Sequence, residues 1–447
     1  MSGTSKGQWA YEISATLKRH GYQALLVGGC VRDILLGRPP SDFDIATDAT
    51  PNHVLSLFPR AQFIGAKFGV VLVPSDNPSD PAPVEVATFR SDHAYCDGRR
   101  PESVAYETDP RQDVLRRDFT INALLMDAQN GEVIDFVDGR ADLDRRIIRA
   151  IGDPSQRFGE DHLRMLRAVR FAARFGFEID PGTFDAIRDL HVEIKRVSAE
   201  RIRDEIARIL TEGGARRGFE LLDATGLLAD LLPEIAAMKG IPQPPDKHPE
   251  GDVWTHTLML LEDLESPSIT LALAALLHDV AKPRTLTIGN RIRFPGHAEL
   301  GAKMAAEIMT RLRFSNEETA RVEVLVANHM RFLEAPKMRE STLKRFLRLP
   351  NFPELLELHR LDRSNGNGDL SNWAFVKRRL ESLPAAELSP ARLLTGSDLI
   401  AAGYCPGPEF SKMLDAAEDA QLESRIHTRD EALALIRAEF GSPPRTC

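Results

Sequence analysis

The stretch Ala24–Thr47, ALLVGGCVRDILLGRPPSDFDIAT, limits what this chain can fold into more than any other. A four-residue apolar strand (Ala24–Val27) runs into Gly28-Gly29 and a helix carrying Arg32. A loop with Pro39-Pro40 follows, then a second strand expected to hold Asp42 and Asp44. Strand alternation puts residues two apart on one face, so both carboxylates are expected to point the same way. Two like charges side by side are costly unless a cation sits between them. Gly28 and Gly29 let the backbone approach a bound group closely, and the N–H groups opening the next helix favour an anion. A phosphate cradle facing a carboxylate pair is what metal-assisted phosphoryl or nucleotidyl transfer requires. A glycine turn or an acidic strand end alone recurs by accident; the two in this order point to that chemistry.

At 447 residues the chain is long enough for two or more domains. Its 43% apolar and 28% charged content is ordinary for a globular protein. A net charge of −9 argues against a coat of positive potential, although local patches still suffice for RNA phosphates. Cys30, Cys96, Cys405 and Cys447 lack metal-ligand spacing and are expected as reduced thiols. No apolar run approaches 18 residues and no signal peptide is evident, so the expectation is a cytoplasmic protein without a membrane span.

Residues 5–20 read as an amphipathic helix and Thr50-Pro51 opens another, through Phe58. Strands are expected at Gln62–Ile64, Val70–Val73, Val84–Phe89 and Val133–Val137. Glu85, between Val84 and Val86, is placed for a third carboxylate on a neighbouring strand. Ser91–Asp109 reads as a mobile polar loop. Periodicity switches from strand to helix near residue 150, and everything beyond reads helical.

Glu160–Arg174 reads as one long helix with Leu163, Leu166, Val169 and Ala173 along one side. Arg164, Arg167, Arg170 and Arg174 form a row beside them, and like charges at this spacing repel. Glu160 and Asp161 offset only the first. Either other helices compensate the rest, or triphosphate or RNA phosphates supply the missing charge, which is the favoured reading. Asp161 and Arg164 also suit base recognition, since a carboxylate accepts from an exocyclic amino group and a guanidinium donates to ring nitrogen or carbonyl oxygen.

In order, GGCVRDILLG, DFD, VEVATFR, RRDFTINAL, DGRADL and EDHLRMLRAVRF resemble the class II CCA-adding enzymes, tRNA nucleotidyltransferases, over residues 20–235. The resemblance implies an α+β chain: a small mixed-sheet nucleotidyltransferase head, then an all-α neck, body and tail. It implies two divalent metals, normally Mg²⁺, on Asp42 and Asp44, with Glu85 in the third acidic position. Gly29, Arg32 and Arg117, together with Gly28 of the same turn, match nucleotide-binding positions. Asp161 and Arg164 match the pair that selects CTP or ATP, and Arg167 and Arg170 match further nucleotide contacts. The loop Asp97–Pro101 resembles the element implicated in switching from C to A addition. Bacterial poly(A) polymerases share the head but carry a basic-aromatic signature that Ala61–Val73 lacks.

Downstream, His256, His278-Asp279, His297, His329 and Asp362 form a second set at the starts and ends of apolar helices. Imidazole and carboxylate together suit a transition metal or Mg²⁺ in a bundle core. The pattern resembles the HD phosphohydrolase superfamily, which implies His256, His278, Asp279 and Asp362 as ligands of a divalent metal of unknown identity, with His297 and His329 as further candidates. The implied chemistry is metal-activated water attacking a phosphoester, such as a 2′,3′-cyclic phosphate at an RNA end. Pro336–Leu349, with Lys337, Arg339, Lys344, Arg345 and Arg348 against Glu340, is a candidate tRNA-phosphate patch.

The expected organisation is a head at 1–150, a neck and body at 151–240, an HD domain at 241–370 and a tail at 371–447. The leading reading is addition and repair of the CCA end of tRNA from CTP and ATP. Alternatives are an A-adding or CC-adding enzyme, a poly(A) polymerase, or chiefly an HD phosphohydrolase. Oligomeric state is open.

Overall fold

In the computed structural model, residues 5–64, 69–75, 83–95 and 101–443 are described. The chain divides into two compact units, residues 1–236 and 237–447.

The first unit opens with the helix Ser5–Arg19 and nine strands that follow in chain order. They are β1 (Ala24–Val27), β2 (Asp44–Thr47), β3 (Gln62–Ile64), β4 (Val70–Val73), β5 (Val84–Thr88), β6 (Arg90–Tyr95), β7 (Pro101–Tyr106), β8 (Leu125–Met126) and β9 (Val133–Ile134). Seven of them make one mixed sheet, in the order β3-β4-β5-β2-β1-β8-β9. β1 and β2 pair antiparallel with Val27 opposite Asp44, whereas β2 and β5 run parallel with Asp44 opposite Glu85. Leu25, Val27, Ala46 and Leu125 from the sheet bury against Phe89, Val114 and Ile151. Asp44, opposite Val27 and two residues before Ala46, shares the face of that layer at the first position of its strand.

Three expectations change, and a fourth falls outside the described residues. Asp42 is not on the second strand, which begins at Asp44; the Pro39-Pro40 loop continues through Phe43 because no partner strand pairs with it. Most of the polar stretch 91–109 is ordered backbone. β6 and β7 pair antiparallel from Arg90↔Tyr106 to Tyr95↔Pro101, and the Ser91 hydroxyl donates to Glu107 at 2.6 Å. Cross-strand pairing satisfies a polar ribbon as well as an apolar one, which composition does not reveal. Of the switching loop Asp97–Pro101, all but Pro101 lies outside the described residues. The strand expected over Val133–Val137 stops at Ile134, where Asp135 accepts from the N–H groups of Val137, Gly139 and Arg140 instead.

The region beyond 150 is helical apart from two short pairings, Ile147–Ile148 with Glu178–Ile179 and Thr287–Ile288 with Ile292–Arg293. The second unit packs the helices Val253–Glu262, Ile269–Leu277, His297–Arg311, Asn316–Asn328 and Phe352–Asn365. A separate tail core gathers Leu394, Leu399, Tyr404, Met413 and Ile436. Of the four cysteines expected as thiols, Cys30 is buried and free. Cys405 is disulfide-bonded, and its partner lies outside the described residues. Among the described residues no helix is long and apolar enough to cross a membrane.

Candidate active sites

In the first unit the site grows from the ends of β1, β2 and β5. Gly28 turns the chain at φ 77°, a left-handed value that side chains resist. The helix Gly29–Leu35 then carries Arg32 inward, where it donates to Asn122 Oδ1 at 2.6 Å and Asp33 Oδ1 at 2.9 Å. The Arg32 guanidinium lies 4.5 Å from the Phe175 ring centre. Arg117 is held by both its Nε and Nη2 on Asp113 Oδ2, at 3.2 and 2.8 Å. Its Nη1 lies 3.5 Å from where a Cβ on Gly28 would stand, so it faces the glycine turn.

Register puts the carboxylates of Asp44 and Glu85 on adjacent strands. Burial, then Glu85 and Asp42, push the Asp44 carboxyl up to about 6, against the pull of Arg117. Asp42, with its side chain 72% exposed, reaches the cluster from the loop and accepts from Lys6 Nζ at 2.6 Å. Two further carboxylates that raise the proton affinity of Asp44, with an ammonium on one of them, are the electrostatic signature of a cation site. The all-oxygen donor set fits a hard divalent ion.

The arginine row is arranged differently from the favoured reading. The helix is interrupted: one helix ends at Glu160, Asp161 is extended (φ −150°), and the next runs Leu163–Phe175. Asp161 is therefore a hinge residue, accepting from Leu163 N at 3.1 Å. The protein itself neutralises the row. Arg164 meets Glu160 at 2.6 Å, Arg167 meets Asp118 at 2.7 Å, and Arg170 meets Glu205 at 2.6 Å. Arg174 meets Glu212 at 3.1 Å. Burial would raise the Asp118 carboxyl, yet Arg167 and Arg164 hold it at about 2. No external phosphate is needed to balance this row; beyond Glu160, the compensating acids lie distant in sequence. Arg201, absent from the sequence reading, clamps Asp161. Its only trace is the Arg201/Glu205 pair four apart on the helix Ala199–Thr211.

The second unit collects the histidines. His278, His297 and His329 each use Nδ1 on the carbonyl three residues earlier, Ala275, Phe294 and Val326, at 2.9, 2.9 and 2.7 Å. A carbonyl only accepts, so each Nδ1 carries the proton and each Nε2 presents a lone pair. The Nε2 atoms of His297 and His329 stand 3.3 Å apart and 3.6 and 3.9 Å from Asp279 Oδ1. Burial and the neighbouring imidazoles push the His329 pKa down to about 3. Two imidazole nitrogens and a carboxylate oxygen converging at this spacing fit a bound cation. His278 Nε2, also buried, lies 3.1 Å from Asp279 Oδ2.

His256, His278 and Asp362 form one ligand-competent group, and Asp279, His297 and His329 another. Within each, the ligand atoms lie within 4.8 Å of one another. His256 Nε2 meets Asp362 at 3.0 Å and its Nδ1 lies 2.6 Å from Glu250. Burial would lower its pKa, but those carboxylates raise it to about 9. Glu250, with His248 at 2.9 Å, extends the cluster, and the sequence reading passed over both. The signal was His-Pro-Glu six residues before His256.

In the patch 336–349, Arg345 and Arg348 both pair with Glu418, and Lys344 Nζ donates to Leu422 O at 2.9 Å. Much of it is therefore packing against the tail.

Family models match three segments. The poly A polymerase head domain matches residues 24–149, the probable RNA and SrmB-binding site of polymerase A matches 176–239, and the HD domain matches 251–363. The chain is 35% identical over 429 residues to a CC-adding tRNA nucleotidyltransferase of Thermus thermophilus, covering 92% of this chain and 93% of that one. The chain belongs to the class II tRNA nucleotidyltransferase family. It carries an HD domain in addition. To the CCA-adding enzyme of Bacillus pumilus it is 46% identical over 223 residues, 50% of this chain and 54% of that protein. The chain thus spans about half the length of such relatives. A Bacillus stearothermophilus CCA-adding enzyme solved in complex with CTP superposes with a TM-score of 0.73 at 28% identity, covering 98% of both chains. The nucleotidyltransferase family uses divalent metal, in keeping with the acidic cluster at Asp44.

Proposed function

We propose that this protein adds and repairs the 3′-terminal CCA of tRNA, taking CTP and ATP without a template, in the cytoplasm. The reading rests above all on Asp44 and Glu85 in register beside the Gly28 turn and Arg117. Asp42, Asp44 and Glu85 hold the metal, which we take to be Mg²⁺. When bound, the ions lower the pKa of the RNA 3′-hydroxyl and stabilise the oxygens of an in-line attack on the α-phosphate. Gly28 and Gly29 leave room for the triphosphate, and Arg32 and Arg117 face the leaving pyrophosphate. Asp161 and Arg164 read the base edge. Arg167 and Arg170, already paired, fix the helix that carries Arg164. The head spans 1–150, neck and body 151–240, HD domain 241–370 and tail 371–447. Supplying tRNAs ending before C, after CC and after CCA with each nucleotide separately tests the reading. Failure to extend any of them overturns it.

CC addition alone is a second reading, supported by identity to the Thermus CC-adding enzyme along nearly the whole chain. It predicts extension by CTP and none by ATP after CC.

For the HD domain we infer a divalent-metal phosphohydrolase acting on an RNA-end phosphoester such as a 2′,3′-cyclic phosphate. His256, His278, Asp279 and Asp362 are the ligands, joined by His297 and His329. Absence of phosphodiester hydrolysis with every divalent metal overturns it.

A further inference from the structure

A cleft of about 540 Å³ lies in the second unit between the turn Pro244–Lys247 and the segment Gly289–Arg293. Both walls lead into the histidine cluster. The turn is flanked by Gln243, which accepts from Lys282 Nζ at 2.5 Å, and by His248, which contacts Glu250. The other wall continues into Phe294, whose carbonyl receives His297 Nδ1 and whose ring centre lies 5.2 Å from Lys282 Nζ. Lys282 in turn sits 2.6 Å from Asp279 Oδ2. One buried ammonium therefore ties both walls to a candidate metal ligand.

The charges lining the cleft differ from those of the arginine row. Lys247, Arg291 and Arg293 are exposed, and none makes an ion pair among the described residues; Asp246 is the single acid on the lining. By contrast, every arginine of the row from Arg164 to Arg174 has a carboxylate. Arg291 lies in the turn between the strands Thr287–Ile288 and Ile292–Arg293, and Arg293 lies on the second of them, so one hairpin brings both to the cleft. The Gln243 side-chain nitrogen is buried without a hydrogen-bond partner, leaving a donor beside the cleft unused.

We propose that this cleft docks the phosphate backbone of a single-stranded RNA end, with Arg291 and Arg293 on one wall and Lys247 on the other, and delivers its terminal phosphoester to the HD centre. The assignment rests on the phosphohydrolase reading above. It adds the substrate class, an oligonucleotide rather than a mononucleotide.

The test uses the full chain with divalent metal, comparing R291E/R293E and R291Q/R293Q with the parent. CTP incorporation by the head serves as the fold control. The probes are a short oligoribonucleotide ending in a 2′,3′-cyclic phosphate and a 2′,3′-cyclic mononucleotide. The expected result is a rise in KM for the oligonucleotide of roughly tenfold or more with kcat held. The mononucleotide loses less, and the oligonucleotide's salt dependence becomes shallower by about 1.4 in slope for two lost contacts. An unchanged oligonucleotide KM overturns the cleft and leaves the hydrolase standing. Equal losses on both probes also overturn it. If the parent hydrolyses neither probe, the hydrolase reading fails separately. The cleft is then judged by hydrogen exchange: protection of the amides of residues 287–293 on adding the oligonucleotide supports it, and no protection overturns it.

Discussion

Arg201 holds both oxygens of Asp161, Nη1 to Oδ1 at 3.1 Å and Nη2 to Oδ2 at 2.7 Å, from a helix 40 residues further on. A carboxylate clamped this way keeps lone pairs free in one direction, as reading a base edge requires. Asp161→Ala is expected to relax discrimination between CTP and ATP by roughly ten- to hundredfold, the worth of a lost two-point base contact. Triphosphate binding should weaken less. Competition incorporation assays measure both; an unaltered nucleotide preference would sink the assignment.

Asp42 is exposed and outside any strand, so replacing it costs the fold little. Asp42→Ala should reduce nucleotide incorporation at least about a thousandfold, ~4 kcal/mol of barrier, with thermal unfolding unchanged. Incorporation near the parent level contradicts the role given to the acidic cluster.

The raised Asp44 carboxyl makes the metal-free protein pH-sensitive. Its folded pKa of about 6 lies above the usual 3.8, so the folded state binds the extra proton between those values. Stability therefore falls as pH rises from about 4 to 6 and levels off above, by at most about 3 kcal/mol. Mg²⁺ should restore more stability at pH 7 than at pH 4.5, and Asp44→Asn should flatten the profile. Differential scanning calorimetry across pH follows this directly.

Arg170 and Glu205 are both nearly fully buried. Arg170→Met strands the Glu205 charge and should lower stability by about 3–5 kcal/mol. The double replacement with Glu205→Leu should recover most of it. Urea midpoints of the three variants separate this packing role from a nucleotide contact, which the double variant would not rescue.

His278→Ala should abolish metal-dependent phosphodiester hydrolysis and reduce bound metal, while CTP incorporation survives. Metal content by atomic spectroscopy, alongside both activities, is the check. Loss of nucleotide addition together with hydrolysis would mean that the two sites are not independent.

The local devices were legible in the chain. The strand–Gly28-Gly29–helix order, Glu85 between two valines and the apolar side of Leu163–Phe175 all follow from period and turn chemistry, which act between near neighbours. Histidines at helix ends were visible as a set because their flanking apolar runs are local too.

Charge pairing was not legible. Asp118 for Arg167, Glu205 for Arg170, Arg201 for Asp161 and Glu418 for Arg348 lie 35 to 70 positions away, and nothing in spacing announces such partners. The sequence by itself determined which residues can carry charge, turn the chain or ligate a metal. The tertiary structure alone decided which charges cancel within the fold and which, like Lys247, Arg291 and Arg293, are left facing solvent. The reason is physical: backbone preference is set by adjacent residues, whereas an ion pair depends on distance in space.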